Sequence, residues 1–174
     1  MGLTLGFDMN TPADSRTKKL ICVLRKLWRN RFGAADGLVL APTGVARKRA
    51  SWVPIRTLSP RHKPRIARHL RALPTADRYL RFGYAANDEQ IGRYVTGLKF
   101  ERDEIFGIYN RKLKLIAMAH LAYSTDPQLK SCAEFGVSVL GTARGRGYGS
   151  RLFDRAVMHA RNDGVDMMFI HALS

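Results

Sequence analysis

The most chemically telling stretch of this chain is Arg144-Gly145-Arg146-Gly147-Tyr148-Gly149. Three glycines in six residues let a backbone turn tightly and approach a ligand that any Cβ would exclude. If a helix begins at once, its unpaired amide N–H groups and the positive end of its dipole converge there, and Arg144 and Arg146 add charge. Such a place suits an anion, and a pyrophosphate above all. Glu134, ten residues upstream of Arg144, is a candidate for moving protons.

The flanking residues supply the elements that would position this loop. Ala133, Phe135, Val137 and Val139 alternate with Glu134, Gly136, Ser138 and Leu140, which is the period of a strand ending near Leu140. After the loop, Leu152, Phe153, Ala156, Val157 and Ala160 form an apolar stripe, with Arg151, Asp154, Arg155 and Arg161 off it. This predicts an amphipathic helix stopped by Asn162 to Gly164. A P-loop is excluded, because no lysine follows a glycine at the required place. A dinucleotide fingerprint needs G-x-G-x-x-G, whereas Gly145, Gly147 and Gly149 are spaced G-x-G-x-G. An arginine-glycine RNA-binding tract would be repetitive and disordered, whereas this stretch occurs once, between a strand and a helix.

The pattern Arg144-x-x-Gly147-x-Gly149, between the strand VSVL and that helix and followed by an apolar strand at Met167 to Ala172, closely resembles motif A of the GNAT acyltransferases. The resemblance implies that loop amides over Arg144, Gly145, Arg146, Gly147, Tyr148, Gly149 and Ser150 hold the pyrophosphate of acetyl-CoA. It also implies that main-chain groups of Val137, Ser138 and Val139 pair with the pantetheine arm, and that acetyl-CoA is the acyl donor, with no metal. The expected fold class is α+β: a mixed, mainly antiparallel sheet flanked by helices, ending after its fifth strand. Glutamate at the place of Glu134 often serves as base in such proteins. An alkyl ammonium of pKa about 10.4 is only about 0.04% neutral at pH 7, a handicap of roughly 4.6 kcal/mol that a base relieves. The acceptor implied is an amine, on a small molecule or a protein lysine. The alternative is a CoA-binding module of the same fold with little or no activity, acting as a binding or regulatory protein through a basic arm.

Length and composition agree with one globular domain: 174 residues, 45% hydrophobic and 25% charged. No apolar run has the length of a membrane span and no signal-peptide core opens the chain, so a cytoplasmic location is expected. Neither zinc-ligand spacing nor a nucleophile elbow is present. The formal charge of +16 is uneven: residues 1–72 hold 16 of the 30 Lys+Arg but 3 of the 14 Asp+Glu. This reads as a basic extension and linker over 1–50 joined to an acyltransferase domain over 51–174. Within the extension, Leu20, Ile21, Val23, Leu24, Leu27 and Trp28 oppose Lys18, Lys19, Arg25, Lys26 and Arg29 on a helical wheel. That predicts a basic amphipathic helix, whose partner would be nucleic acid, a membrane surface or the domain itself.

Within 51–174, Trp52 to Arg56 reads as a strand, and Ile66, Ala67, Leu70 and Leu73 as a helical face ended by Pro74. A second helix, capped by Thr75, is expected to stop at Gly83, and a third to start at the capping-box pair Asn87 and Gln90. Ile105 to Tyr109 and Leu113 to Tyr123 predict a hairpin about Asn110 to Lys112. Asp77 to Phe82 also resembles the Y-x-R-F element of bacterial protein-lysine acetyltransferases; equally, it reads as a helix with Tyr79, Leu80 and Phe82 buried and its arginines in solvent. His120 falls mid-strand and is expected to be a sheet residue. In the family a helix and two strands follow the fifth strand. Ending the sheet at Met167 to Ala172 leaves an apolar edge, from which self-association, as a homodimer through that strand, and low turnover are expected.

Overall fold

The computed structural model describes residues 2–8, 53–126, 129 and 131–173, with backbone only for 2–8 and 171–173. The expected basic helix over 20–28 and the linker over 33–50 lie outside the described residues. Among the described residues six strands make one sheet: β1 (Gly2–Asp8), β2 (Ile55–Thr57), β3 (Glu104–Tyr109), β4 (Leu115–Tyr123), β5 (Cys132–Val139) and β6 (Met167–Leu173), in the order β1-β6-β5-β4-β3-β2. All neighbours are antiparallel except β5 and β6, which are parallel. Four α-helices accompany them: α1 (Lys63–Arg71), α2 (Thr75–Phe82), α3 (Asp88–Thr96) and α4 (Tyr148–Asn162). A parallel pair needs a crossover, and α4 supplies it. The expected α+β class and mainly antiparallel sheet are what the chain adopts.

Period-two alternation divides the sheet into two faces. Phe135, Val137 and Val139 share one face with their β4 neighbours Leu121, Ala119 and Ala117, and α4 covers it through Phe153 on Phe135, with ring centroids 5.5 Å apart. Glu134, Gly136 and Ser138 share the other with Ala122, His120 and Met118, and helices α1 to α3 lie over it. Ile66, Leu70, Ile91, Ile105, Phe106, Met118, Leu121, Leu152 and Met168 are wholly buried between these layers. Burying each such side chain is worth roughly 1.5–3 kcal/mol before the entropy of ordering is set against it.

Local chemistry explains the helix ends. The capping box of α3 forms as expected: Gln90 N–H donates to Asn87 Oδ1 at 2.8 Å, and Asn87 N–H donates to Gln90 Oε1 at 2.9 Å. Helix α2 stops at Gly83, which is left-handed at φ 80°. Its N-terminus differs from expectation, because Pro74 holds the capping position and Thr75 is already helical with no side-chain cap.

Three other expectations change. Leu113 does not open β4; it is left-handed at φ 55° and 67% exposed. Asn110 Oδ1 accepts from the amides of both Lys112 and Lys114 at 3.0 Å, and this side-chain turn competes successfully with the strand. Helix α2 does not bury Tyr79, which is 46% exposed, nor leave its arginines in water. Arg78 instead donates to the carbonyls of Leu73 (3.0 Å), Ala86 (3.0 Å) and Arg71 (2.6 Å) and to Asp88 Oδ1 (2.8 Å), clamping α1 to the start of α3. Finally, the β6 edge is not open. Gly2–Asp8, within the segment read as an extension, pairs along it from Gly2–Leu173 to Asp8–Met167, so the expected homodimer contact through that edge is already occupied.

Removing residues 1–10 therefore re-exposes the β6 ladder. We expect a stability loss of at least about 2 kcal/mol, or roughly 4–8 °C in Tm, with concentration-dependent sedimentation that the full chain lacks. Unchanged melting and sedimentation would assign β1 no part in the sheet's stability.

Candidate active site

The glycine-rich loop is built as its composition demands. Beyond β5, Leu140 N–H donates to Ile116 O at 3.0 Å, and a 3₁₀ turn at Gly141–Ala143 leads into Gly145 (φ 74°) and Gly147 (φ 71°). A side chain at either would be strained whatever space surrounds it. Gly147 is the N-cap of α4, with no side-chain cap and no acidic residue in the first turn. The leading amides of α4 thus keep their capacity for a ligand. Buried Tyr148 and Gly149 fix the helix start against the core, while Gly145 and Arg146 are exposed. Arg144 is committed in part elsewhere: its guanidinium pairs with Asp77, tying the loop to α2.

Next to this loop the sheet divides. On its β4 side β5 stays paired to its end, through Ser138–Met118 and Val139–Ala117. On its β6 side the ladder runs only from Cys132–Met167 to Phe135–Ile170. From Gly136 to Val139 the β6-facing main chain has left the ladder and is placed to bond an extended ligand. On the other flank, a groove of about 1450 Å³ opens onto Arg146 and Tyr148. Arg61, Arg65 and Arg68 at α1 and Arg111 and Lys112 of the β3–β4 turn line it, with no carboxylate among its lining residues. This groove is therefore electropositive.

Glu134 is exposed, on β5 between Ala122 of β4 and Phe169 of β6. Two residues on, a Cβ at Gly136 would lie 2.5 Å from the guanidinium of Arg81, so that guanidinium rests on the strand backbone in the space glycine leaves. Arg81 donates to the Tyr94 hydroxyl at 2.7 Å, that hydroxyl is 2.7 Å from His120 Nδ1, and His120 Nε2 is 3.1 Å from Asp103 Oδ2. Arg102 braces Asp103 through two bonds, of 2.6 and 3.0 Å. Burial opposes ionisation of Asp103, but the bonds from Arg102 and His120 outweigh it and hold its carboxyl below the usual carboxylate range. Burial, then the charge of Arg81, lowers His120. Burial raises Tyr94, against the pull of Arg81.

A second histidine joins the helical layer to β5. His69 is 1% exposed, with Nδ1 3.1 Å from Leu115 O and Nε2 2.8 Å from Ser138 Oγ. A carbonyl can only accept, so Nδ1 carries the proton and Nε2 accepts from the serine hydroxyl. Burial lowers this histidine to about 4, with the bond to Leu115 partly offsetting it.

The acetyltransferase (GNAT) family model matches residues 67–174, which is more than half of the chain and includes the divided strands and the loop. The chain belongs to the GNAT family. Its fold is shared with the GNAT domain of Streptomyces lividans PAT, at 18% identity and a TM-score of 0.52 over 64% of this chain and 66% of that one. It is shared too with a phosphinothricin N-acetyltransferase so described by its structure, at 18% identity and 0.52, over 66% and 69%. A GNAT acetyltransferase of Colwellia psychrerythraea gives 20% identity and 0.54, over 69% and 40%. The chain spans just under two thirds of the first of these. No curated protein matches it.

In this GNAT chain the residues predicted from sequence fall into one region: the loop, the unpaired stretch of β5, and Glu134 beside it. The sequence reading missed the Arg81–Tyr94–His120–Asp103 chain. Its one visible signal is a polar tip, Tyr94, at the margin of the apolar stripe Ile91, Val95 and Leu98, and its three partners come from three other segments.

The buried His69 makes a pH prediction. Its folded pKa lies below the unfolded 6.5, so between about 6.5 and 4 the unfolded chain binds the proton first. Its contribution is complete above pH 6.5 and is lost as pH falls towards 4, up to about 3 kcal/mol. Asp103, also lowered, adds in the same direction at more acidic pH. Urea titrations should show this slope, and His69→Gln should flatten it between pH 6.5 and 4; a variant with the wild-type slope would refute the assignment.

Proposed function

We propose that this GNAT chain transfers an acetyl group from acetyl-CoA to an amine by direct attack in a ternary complex. The observation that carries the reading is the coincidence of two features at one end of β5. Main-chain groups of Gly136–Val139 are released from β6, and the uncapped, acid-free N-terminus of α4 follows a loop with two left-handed glycines. An extended pantetheine amide chain ending in a pyrophosphate needs those two things in that order. Val137, Ser138 and Val139 pair with the arm, and the amides from Arg144 to Ser150 take the pyrophosphate, with Arg146 opening onto the basic groove.

The acyl carbonyl then lies beside β5, where a main-chain N–H near Val139 stabilises the tetrahedral oxyanion. Glu134, on the opposite face of the strand from Val137 and open to water, takes the proton of the arriving ammonium and passes it to solvent. The acceptor, a small amine or a protein lysine, enters on the face where Glu134 and Arg81 stand.

Calorimetric titration with acetyl-CoA and desulfo-CoA tests the donor before any acceptor is known. Both should bind to the wild type, and a folded Gly147→Val variant should lose at least about tenfold in affinity, through strain at φ 71° and obstruction of the phosphates. Unchanged affinity in that variant would remove the loop from the site.

Glu134→Gln separates base from binding. It should lower kcat at neutral pH by roughly 10²–10⁴-fold with little change in acetyl-CoA affinity, and raising the pH should recover part of the rate as the free amine accumulates. Full activity in Glu134→Gln would make it an ordinary surface glutamate.

A further inference from the structure

We propose that Tyr94, backed by His120 and Asp103, carries the proton from the acceptor nitrogen to the departing thiolate; this rests on the acyl-transfer reading above. The order of the hydrogen bonds gives the chain a direction. Asp103 is an ionised carboxylate and can only accept, so His120 bears its proton on Nε2, which donates across 3.1 Å. In the neutral ring Nδ1 is then an acceptor, and the Tyr94 hydroxyl at 2.7 Å donates to it. The Tyr94 oxygen accepts from Arg81 at 2.7 Å and retains a lone pair. A proton arriving at that oxygen can displace the phenolic proton onto His120, where Asp103 stabilises the imidazolium.

Placement makes this more than a buried polar cluster. The guanidinium that bonds Tyr94 is the one lying 2.5 Å from the Cβ position of Gly136, and Gly136 is the first β5 residue past the last pair with β6. The phenol oxygen is thus one guanidinium removed from the main chain along which the thioester is proposed to lie. The charged groups facing the relay are Arg81 from α2, Arg102 behind Asp103, Asp103 itself and Glu134 from β5. Arg81 disfavours a standing imidazolium, so His120 is neutral between turnovers and ready to receive.

The proton balance closes without another reactant. Attack by the neutral amine forms the N–C bond and leaves an oxyanion and a positively charged nitrogen. One N–H proton passes to Tyr94 as the Tyr94 proton passes to His120. Collapse re-forms the carbonyl and breaks the C–S bond, with the electron pair leaving on sulfur. The proton then returns from His120 to Tyr94 while that of Tyr94 goes to the thiolate. One proton has moved from nitrogen to sulfur. Exposed Glu134 acts earlier, when ammonium becomes amine, so the two groups handle different protons. Tyr94 is the catalytic residue here, and His120 and Asp103 position and poise it.

Thiol release from acetyl-CoA is measured against a panel of primary amines (polyamines, amino acids and lysine peptides) for wild type, Tyr94→Phe, His120→Gln and the double variant, each checked for folding by melting. Tyr94→Phe should lower kcat about 10²–10³-fold with the acetyl-CoA KM within threefold, and the double variant should be little worse than either single one. In wild type the rate should fall as pH drops and His120 is charged; that limb should be absent from both single variants, which a packing role would leave in place. ¹⁵N NMR of the intact wild-type chain at pH 7 should find His120 protonated on Nε2 alone. A folded Tyr94→Phe with near wild-type rate and an unchanged pH profile, or a ring protonated on Nδ1, overturns the relay and leaves the acyl-transfer reading standing. Acetyl-CoA binding without thiol release to any amine overturns both relay and transfer, and no binding of acetyl-CoA overturns the reading beneath them.

Discussion

The site depends on one partial pairing. Strand β5 is bonded to β4 along its whole length but to β6 over only four residues, after which the two parallel strands part. A fully zipped pair would consume every main-chain group that an extended ligand could use; fully separated strands would leave a buried, unsatisfied edge, which costs about 1–3 kcal/mol per group. Each flank has its own anchor. Ser138, in the half of β5 that has left β6, is fastened to His69 of α1, and Phe135, the last residue still paired with β6, packs on Phe153 of α4 at the opposite face.

Much of this was legible from residue order. The alternation from Ala133 to Leu140, the glycine spacing and the stripe from Leu152 to Ala160 are local signals, and each reports on neighbours within one or two turns. The place of the loop, and that of Glu134 on its strand, were accessible for that reason. The roles of Arg78 and Arg81 were not. An arginine on a helix reads as solvated, and only the absence of a side chain at Gly136, in an element some fifty residues away, makes the inward position available. His120 was equally ambiguous, since a histidine mid-strand has no sequence mark that separates a filler from a proton carrier. The β1–β6 pairing was invisible for a different reason. Gly2–Asp8 is short and lies beside a long basic stretch, and its partner is the last described strand.

Charge is distributed with a purpose that the net value hides. The carboxylates Asp77, Asp103 and Glu134 all lie on the side of the sheet covered by α1 to α3, each within reach of an arginine or histidine that it restrains or tunes. The groove beside the glycine-rich loop is lined by arginines and a lysine with no carboxylate among them. The field therefore favours an anion at one end of β5, while the interacting carboxylates, histidine and arginines are gathered on one face further along the strand.

The pairing of Gly2–Asp8 with Met167–Leu173 also has a temporal side. Among the described strands β1 leaves the ribosome before the others but waits longest for its partner, because β6 is made after β2 to β5. That contact closes a loop over residues 9–166, and contacts of such high order form late. During synthesis β2 to β5 can assemble with α1 to α3 while β1 waits, with its own main chain exposed. The step that covers the outer edge of β6 thus waits on the synthesis of β6 itself, and a nascent chain stalled before Met167 would carry β1 as an unused strand.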